Sequence, residues 1–389
     1  MCKFKYYLQQ KNIYMLTKNL FKLILILLLI IPNSNNLAQD NLEVFNKVSS
    51  EWKTDFTKHS VDFSEFMGGG PQRDGIPAID NPQFESIKDA KDWLNFESPI
   101  ISIEINGTAK AYPLAILIWH EIINDKIGVT PISITFCPLC YSTSVFERIV
   151  DGKETTFGTS GLLRNSNLVM YDRLTESLWQ EFIGEAIIGK MTGTKLNLIP
   201  SQIISFEQFE KNYPDGTVLS RKTGFTRSYG QNPYIGYDNI NSKPFLYRGK
   251  IDKRLPPNEK ILAIEIDNNF KAYPYSITEK MRIINDDFVG NPVLILHLIG
   301  AGSALETKDI SKSRNVGTTG AFSRIVDGKI LTFKYDNIKV IDEQTKSVWS
   351  ITGKAIDGKL KGTQLKKLLH GDYFSFAWFA FRPETKLYK

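Results

Sequence analysis

The segment that decides the fold is Ile101-Ser-Ile-Glu-Ile-Asn-Gly-Thr-Ala-Lys-Ala-Tyr-Pro113. Apolar and polar residues alternate up to Ile105, and the Asn-Gly pair that follows is a strong hairpin signal. The segment returns later in the chain. Ile103-Glu104-Ile105 and Lys110-Ala111-Tyr112-Pro113 reappear as Ile264-Glu265-Ile266 and Lys271-Ala272-Tyr273-Pro274. A β-hairpin is therefore predicted at two places.

Further blocks recur in the same order, which indicates a duplicated domain. The period is about 165 residues, too long for a solenoid unit, so each copy can hold its own core. We expect the two copies to pack as a pseudo-symmetric pair. The matched blocks are Ile122–Asp125 with Ile283–Asp286, Arg148–Lys153 with Arg324–Lys329, Ser177–Trp179 with Ser347–Trp349, and Gly193–Leu196 with Gly362–Leu365.

Within a copy, most apolar segments have the alternation and the flanking turns of strands. One short helix is predicted from Pro113 to about Ile123, because proline suits a first helical turn. The aromatic run Tyr373–Phe381 is predicted to be a closing strand. The fold class is therefore α+β, mainly β, with two tandem homologous β-rich repeats, short helices and a pseudo-symmetric packing.

The N-terminus has the pattern of an export signal. Lys18 and Lys22 precede the apolar run Leu23–Ile31, which Pro32 ends, and Ala38 marks a cleavage site. The run is too short for a comfortable membrane span, although a retained N-terminal anchor is the alternative. Met15 is a second possible start. The predicted organisation is a signal peptide or N-terminal anchor at 1–38, an N-terminal extension at 39–96, a first repeat with the candidate site at 97–245, and a second, degenerate repeat at 246–389.

Charge and compartment follow from this leader. The whole chain carries +6, the leader carries five lysines and no acid, and the rest is therefore 6 − 5 = +1. A near-neutral protein gives no electrostatic case for binding nucleic acid, and membrane contact is expected only through an uncleaved N-terminal segment. We expect an exported protein of the periplasm or cell surface. In such an oxidising place cysteines are paired, bound to metal or kept reduced by a partner.

The candidate site is the Cys137-Pro-Leu-Cys140 motif, seventeen residues after His120. The other cysteine, Cys2, lies in the leader. In the second copy His120 aligns with Met281, and the CxxC motif aligns with 298–301, which holds no cysteine. The thiols and the histidine are thus absent together while the surrounding blocks persist, as expected of one functional unit.

Two thiolates and an imidazole suit zinc or copper. The same motif set offers Met170, Asp172 and Glu121 as a fourth ligand. A thioether favours copper and a carboxylate favours zinc. The alternative for Met170 is a core residue on a strand, and for Asp172 a turn residue or an arginine partner. No motif for a nucleotide cofactor is found, since Gly158–Gly161 lacks the lysine of a phosphate loop.

Two other interpretations of CxxC stay open. The spacing is also that of redox-active pairs, but Tyr141–Phe146 has the pattern of a strand, which would remove the helix dipole that activates such thiols. A structural disulfide that locks a turn is the third possibility. Elsewhere, Arg164–Asn167 is predicted to be a solvated loop, with anion binding as the alternative, and His297 is predicted to be an ordinary strand histidine rather than a partner of the first copy's site.

These motifs resemble the domain-of-unknown-function 3179 (DUF3179) family over nearly the whole chain after the leader. The resemblance implies an exported or membrane-anchored prokaryotic protein and no particular reaction. One departure is Tyr141, where the family often has glycine. The segments that carry the resemblance are Gly69–Pro71, Asp74–Pro77, Ala111–Pro113, His120–Ile122, Asn124-Asp125, Cys137–Cys140, Gly158–Leu163, Met170–Asp172, Ser177–Trp179, Phe374–Trp378 and Phe381–Pro383.

Overall fold

The computed structural model describes residues 52–389. The expected signal peptide or anchor at 1–38, Met15 and Cys2 lie outside the described residues. Within 52–389 the chain is mostly β, with several sheets and few short helices, which confirms the predicted fold class. None of the helices in this range has the length and apolar character needed to span a membrane.

The strands are short and follow one another closely, with five helices between them in the described residues. The strands are β1 (Phe66–Gly68), β2 (Phe84–Ser86), β3 (Pro99–Ile105), β4 (Thr108–Pro113), β5 (Ile122–Ile127), β6 (Thr130–Cys137), β7 (Ser142–Glu147), β8 (Ile149–Val150), β9 (Lys153–Glu154), β10 (Phe157–Arg164), β11 (Asn167–Asp172), β12 (Leu178–Gln180), β13 (Glu185–Ile188), β14 (Gln202–Ser205), β15 (Thr217–Leu219), β16 (Lys260–Ile266), β17 (Asn269–Pro274), β18 (Ile283–Phe288), β19 (Asn291–Leu298), β20 (Thr318–Ser323), β21 (Ile325–Val326), β22 (Lys329–Ile330), β23 (Phe333–Asp336), β24 (Lys339–Asp342), β25 (Val348–Trp349), β26 (Ala355–Asp357), β27 (His370–Phe374) and β28 (Lys386–Leu387). The helices are α1 (Ile87–Ala90), α2 (Leu114–His120), α3 (Phe206–Asn212), α4 (Tyr275–Met281) and α5 (Ser375–Phe381), with 3-10 turns at Phe63–Glu65 and Ile310–Lys312.

We call residues 97–219 the first half, 260–389 the second half and 220–259 the linker. The first half contributes to sheets of order β14-β3-β4-β15-β2, β5-β6-β7 and β1-β10-β11-β12-β13. The second half forms β27-β16-β17-β28, β18-β19-β20 and β23-β24-β25-β26. Since β1 and β2 precede residue 97, the N-terminal extension completes two sheets of the first half. The linker contains no helix and no strand longer than an isolated bridge.

The hairpin predicted for residues 101–113 is formed by β3 and β4. Asn106 and Gly107 both have positive φ, 50° and 81°, as a tight two-residue hairpin turn requires. In the second half β16 and β17 are joined by Asp267 and Asn268, which also have positive φ. Turn chemistry and alternation therefore predicted both hairpins.

Helix α2 ends earlier than predicted. Its last residue is His120, and Glu121 takes φ = 57°, which terminates the helix before β5 begins. The isoleucines at 122 and 123 continue the apolar pattern of the helix, so the pattern did not show the boundary. Arg282 has φ = 62° at the matching place after α4.

The predicted closing strand at Tyr373–Phe381 is wrong. Strand β27 ends at Phe374, and the rest of the aromatic run is helix α5, with Phe376, Ala377, Trp378 and Phe379 all buried. A short helix that is covered on several sides carries apolar residues around most of its circumference. Such a run lacks the period that separates a helix from a buried strand.

A partly buried ion pair anchors the opening hairpin of each half. Lys110 Nζ and Tyr112 OH both donate to Asp125 Oδ2, at 2.8 and 2.7 Å. Both halves also begin with the order strand, strand, helix, strand, strand. The tandem-repeat organisation itself stays a prediction. The corresponding contacts in the second half are Lys271 Nζ to Asp286 Oδ2, 2.5 Å, and Tyr273 OH to Asp286 Oδ2, 2.8 Å.

The two halves share a packed interior. Strand β14 of the first half packs against β20, and β27 of the second half packs against β7. One backbone bond joins them at the candidate site, where Phe374 N donates to Cys140 O at 2.9 Å. The main core cluster accordingly contains residues from both halves, such as Phe136 and Phe374.

Candidate functional site

The CxxC motif is the turn between β6 and β7. Cys137 is the last residue of β6 and pairs in register with Ser142, the first residue of β7. Cys140 N donates to Cys137 O at 3.2 Å, and Tyr141 closes the turn with φ = 53°. Glycine adopts this conformation freely, whereas a side chain there costs about 1–2 kcal/mol. The backbone at Tyr141 therefore has the left-handed conformation that favours glycine, the residue that the resemblance implied at this position.

Both thiols are free and buried, with Cys137 1% and Cys140 0% exposed. Cys137 Sγ approaches Ser166 O at 3.8 Å. Burial raises the pKa of the Cys140 thiol, and the neighbouring Cys137 and the Glu181 carboxyl raise it further. Because β7 follows the turn as predicted, no helix N-terminus stabilises a thiolate here.

A buried carboxylate, Glu181, lies beside the thiols. Its oxygens accept hydrogen bonds from Thr135 Oγ1 at 2.8 Å, Ser142 Oγ at 2.8 Å and Asn167 Nδ2 at 2.7 Å. Burial raises the pKa of Glu181, although these donors oppose the shift. Sequence reasoning missed Glu181. It also misplaced Ser166 and Asn167 in a solvated loop, whereas both are fully buried.

His120 already has a partner on each ring nitrogen. Nδ1 lies 2.7 Å from Pro77 O and Nε2 lies 2.7 Å from Tyr229 OH, a linker residue. Burial lowers the pKa of His120. Among residues 52–389 no group of three or more histidine, cysteine, aspartate or glutamate side chains is placed to hold a metal ion. For His120 to act as a ligand, it would first have to release Tyr229 or Pro77.

Two of the three candidates for a fourth ligand, Met170 and Asp172, take up scaffold roles. Met170 is fully buried in the main core cluster on β11. Asp172 organises the turn after that strand, accepting from Thr175 N at 2.5 Å and from Trp179 Nε1 at 2.9 Å. Asp342 makes the same pair of contacts in the second half, with Thr345 N at 2.6 Å and Trp349 Nε1 at 3.0 Å.

A cavity of about 110 Å³ lies next to the CxxC turn. Its walls are mostly apolar and include Leu139 of the turn and Gly161. Two polar side chains line it without a hydrogen bond from any described residue, namely Glu121, which is 8% exposed, and the Tyr234 hydroxyl. Burial, and secondarily the Glu181 carboxyl, raises the pKa of Glu121 to about 8. At neutral pH this carboxyl is mostly protonated and can donate a hydrogen bond.

The linker covers this region. Tyr229 contacts His120, Tyr234 lines the cavity, and Tyr237 OH donates to Leu139 O at 3.1 Å. The Phe245 carbonyl accepts from Ser166 Oγ at 2.5 Å. Residues from the extension, the first half and the linker thus meet around the cysteines.

Comparison of the halves separates scaffold from site. Residues that both halves share, such as the lysine–aspartate pairs and the aspartate–tryptophan pairs, make the same contacts twice. Six residues at or near the thiols have a different residue at the matching position of the second half. His297 bonds Thr278 Oγ1 at 2.8 Å and packs on Tyr275, so its contacts stay within the second half. The first-half residues and their second-half counterparts are His120 and Met281, Glu121 and Arg282, Thr135 and Leu296, Cys137 and Leu298, Cys140 and Ala301, and Glu181 and Ile351.

Comparison with known proteins gives a family and no activity. No curated protein matches the chain, and no solved structure matches it. The family model described as "Protein of unknown function (DUF3179)" matches residues 73–385, a range that includes both halves, the linker and the CxxC turn. Because this match covers most of the sequence, the chain belongs to the DUF3179 family.

Proposed function

We propose that this protein binds one soft metal ion through the thiolates of Cys137 and Cys140, with cuprous copper as the preferred ion and zinc as the alternative. The observation that carries the proposal is the pair of free, buried cysteines at the two ends of one tight turn between β6 and β7. Thiolates are soft ligands that favour cuprous copper, zinc and iron–sulfur clusters. Cuprous copper accepts two thiolates, whereas structural zinc takes four ligands.

Burial links metal binding to proton release. The raised pKa of Cys140 keeps its thiol protonated at neutral pH, and a metal ion must displace that proton. An arriving cation offsets the cost of placing negative charge near Glu181. Apparent affinity should therefore increase with pH.

His120 enters the proposal as an optional third ligand. The ring would have to exchange its bond to Tyr229 for a bond to the metal, which would remove one of the contacts between the linker and α2 and leave the bond from Trp119 Nε1 to Gln231 O in place. Binding would then be accompanied by a change in the environment of Tyr229. A two-thiolate site leaves this contact intact.

Thiol–disulfide exchange is the weaker candidate. Both sulfurs are buried beneath linker tyrosines, and the motif opens a strand instead of a helix. Exchange needs an accessible thiolate of low pKa, and burial acts in the opposite direction here. The expected export of the protein rests on residues 1–38 and remains part of the proposal.

The test is anaerobic titration with cuprous ion against a chromophoric chelator, in a Cys2→Ser background that leaves two thiols. The wild type should bind one ion per chain, and Cys137→Ser or Cys140→Ser should lose tight binding. Met170→Leu keeps the volume of a core residue and should bind like the wild type. His120→Gln should also bind if the thiolates suffice. Equal affinities for the wild type and the double serine variant would refute the proposal.

A further inference from the structure

The second half has a polar pocket of its own. A cavity of about 310 Å³ opens beside β16 and α4, and its lining includes Asn258, Lys260, Tyr275 and Arg314. It lies behind the CxxC turn, since Lys260 Nζ sits 3.7 Å from the centre of the Tyr141 ring. It is not part of the thiol site.

Two buried residues that line this pocket each carry a polar atom that makes no hydrogen bond within the described chain. Lys260 is 8% exposed, and its ammonium makes no hydrogen bond or ion pair within residues 52–389. Its close contacts are the rings of Tyr141 and, at 5.4 Å, Tyr275. Asn258 Oδ1 is buried with no hydrogen-bond donor in the described chain, while its Nδ2 is held by Tyr237 O at 2.6 Å. An unpaired donor and an unpaired acceptor in one cavity indicate a ligand that supplies both complements.

At these positions the second half has the charged residues and the first half has the apolar ones, which is the reverse of the pattern around the thiols. Counting from Pro113 and Pro274, Lys260 corresponds to Pro99. Asp372, which faces Leu262 across the sheet, corresponds to Ile203, which faces Ile101. The second half thus carries buried charges where the first half is apolar, so it is more than a degenerate copy.

The charges around the pocket decide the class of ligand. Asp238, Glu259 and Glu279 line it against the cations Lys260 and Arg314, and Arg314 is already paired with Asp238 at 2.9 Å. This balance does not favour an anion. A neutral ligand with an acceptor for Lys260 and a donor for Asn258 satisfies both unpaired groups without adding charge.

We propose that this pocket binds a small neutral hydroxy-aldehyde or hydroxy-ketone, whose carbonyl condenses with the Lys260 amine and whose hydroxyl donates to Asn258 Oδ1. The amine nitrogen adds to the carbonyl carbon, the carbonyl oxygen leaves as water with the two amine protons, and an imine remains. No oxidant or reductant is needed. The inference goes beyond the proposed metal site and does not depend on it.

The electrostatics of the pocket support an amine that reacts at neutral pH. Burial lowers the pKa of Lys260 to about 8, Arg314 adds to this, and Asp372 and Asp238 oppose it. Tyr141 and Tyr275 face the amine as neutral phenols, because burial raises both of their pKa values. At pH 7.5 the neutral fraction is roughly two hundred times that of an ordinary lysine. Desolvated lysines of this kind are nucleophiles toward carbonyl compounds.

The test uses the full chain with glycolaldehyde and cyanoborohydride, which reduces an imine to a stable amine. Peptide mass spectrometry then gives the labelling rate of each lysine. Lys260 should label at least about tenfold faster than Lys312, an exposed internal control whose side chain is 77% accessible. The Lys260 rate should level off above pH 8, while the Lys312 rate keeps rising. Labelling of Lys260 no faster than Lys312 would overturn the proposal.

A second probe tests the hydroxyl. Acetaldehyde has the carbonyl of glycolaldehyde without the hydroxyl. Lys260 should prefer glycolaldehyde in competition by several-fold more than Lys312 does, because only Lys260 has Asn258 beside it. Equal preference at the two lysines would rule out the hydroxyl contact and with it the assigned ligand class.

Discussion

Replacing Glu121 with glutamine should remove much of the pH dependence of stability between about pH 4.5 and 8. The Glu121 carboxyl is buried against the cavity, and no described residue offers it a hydrogen bond. The folded state therefore holds the proton more tightly than the unfolded chain. Stability linked to this group is fully present below the unfolded pKa and is lost as pH rises through the folded pKa.

The size of the effect follows from the two pKa values. The pKa of Glu121 is about 8 in the fold, whereas the ordinary pKa of a glutamate, which applies to the unfolded chain, is 4.5. With about 1.36 kcal/mol per pKa unit, raising the pH from 5 to 8 should cost the folded wild type about 3–4 kcal/mol through this carboxyl. Glutamine has nearly the same shape and does not ionise. The variant should thus match the wild type near pH 5 and exceed its free energy of unfolding at pH 8 by about 3 kcal/mol.

The assay is urea unfolding followed by tryptophan fluorescence at pH 5 and pH 8 for both proteins. Arg282→Gln is the matched control, because Arg282 occupies the corresponding left-handed position after α4, with φ = 62°. It should change the stability difference between the two pH values by less than about 0.5 kcal/mol. If Glu121→Gln and the wild type lose equal stability from pH 5 to pH 8, the carboxyl is ionised in the fold and the reasoning fails.

Three further predictions concern the scaffold and the thiols. Asp172→Asn and Asp342→Asn should each lower the free energy of unfolding by about 2 kcal/mol, because each removes one hydrogen-bond acceptor from a buried turn. Neither variant should change the metal content. Loss of metal in Asp172→Asn alone would assign Asp172 to the metal site. Gly161→Ala should cost about 1–3 kcal/mol in urea unfolding, since a Cβ would lie 2.5 Å from Pro71 O at φ = 80°. Gly107→Ala has a similar φ with open space around it and should cost about 1 kcal/mol; equal losses would show that the close approach is relieved. Cuprous affinity should rise roughly tenfold per pH unit for each thiol proton released, and a flat profile from pH 6 to 8 would mean that the thiols are already ionised.

Local signals predicted the fold class well. Alternation and turn residues identified both opening hairpins, because a two-residue turn with positive φ leaves a recognisable pair such as Asn106-Gly107. The end of α2 and the identity of α5 were missed for one reason. In both segments neighbouring structure buries the chain on more than one side, so apolar residues continue through the boundary.

The site was predicted only in part. Spacing alone drew attention to Cys137 and Cys140, and the structure adds Glu181, which no motif marks. Its role depends on Thr135, Ser142 and Asn167, which come from three different strands. The comparison of the matched blocks offered a clue, since Ile351 replaces Glu181 two residues after a shared tryptophan. The pairing of His120 with a linker tyrosine was not predictable. The linker has no helix and no extended strand, so its sequence has no hydrophobic periodicity from which its position against α2 could be inferred.

Because of the bond from Phe374 N to Cys140 O, residues of both halves hold the CxxC turn in place. A fragment that ends within the linker would leave the Cys140 carbonyl without its donor, and a fragment that ends before Tyr229 would also lose the contacts of Tyr229 and Tyr237 with His120 and Leu139. Expressing the N-terminal part alone is therefore a poor route to isolating the chemistry of the cysteines. Lys260 pairs with Phe374 across the sheet, so the Lys260 pocket and the CxxC turn are neighbours through a single residue.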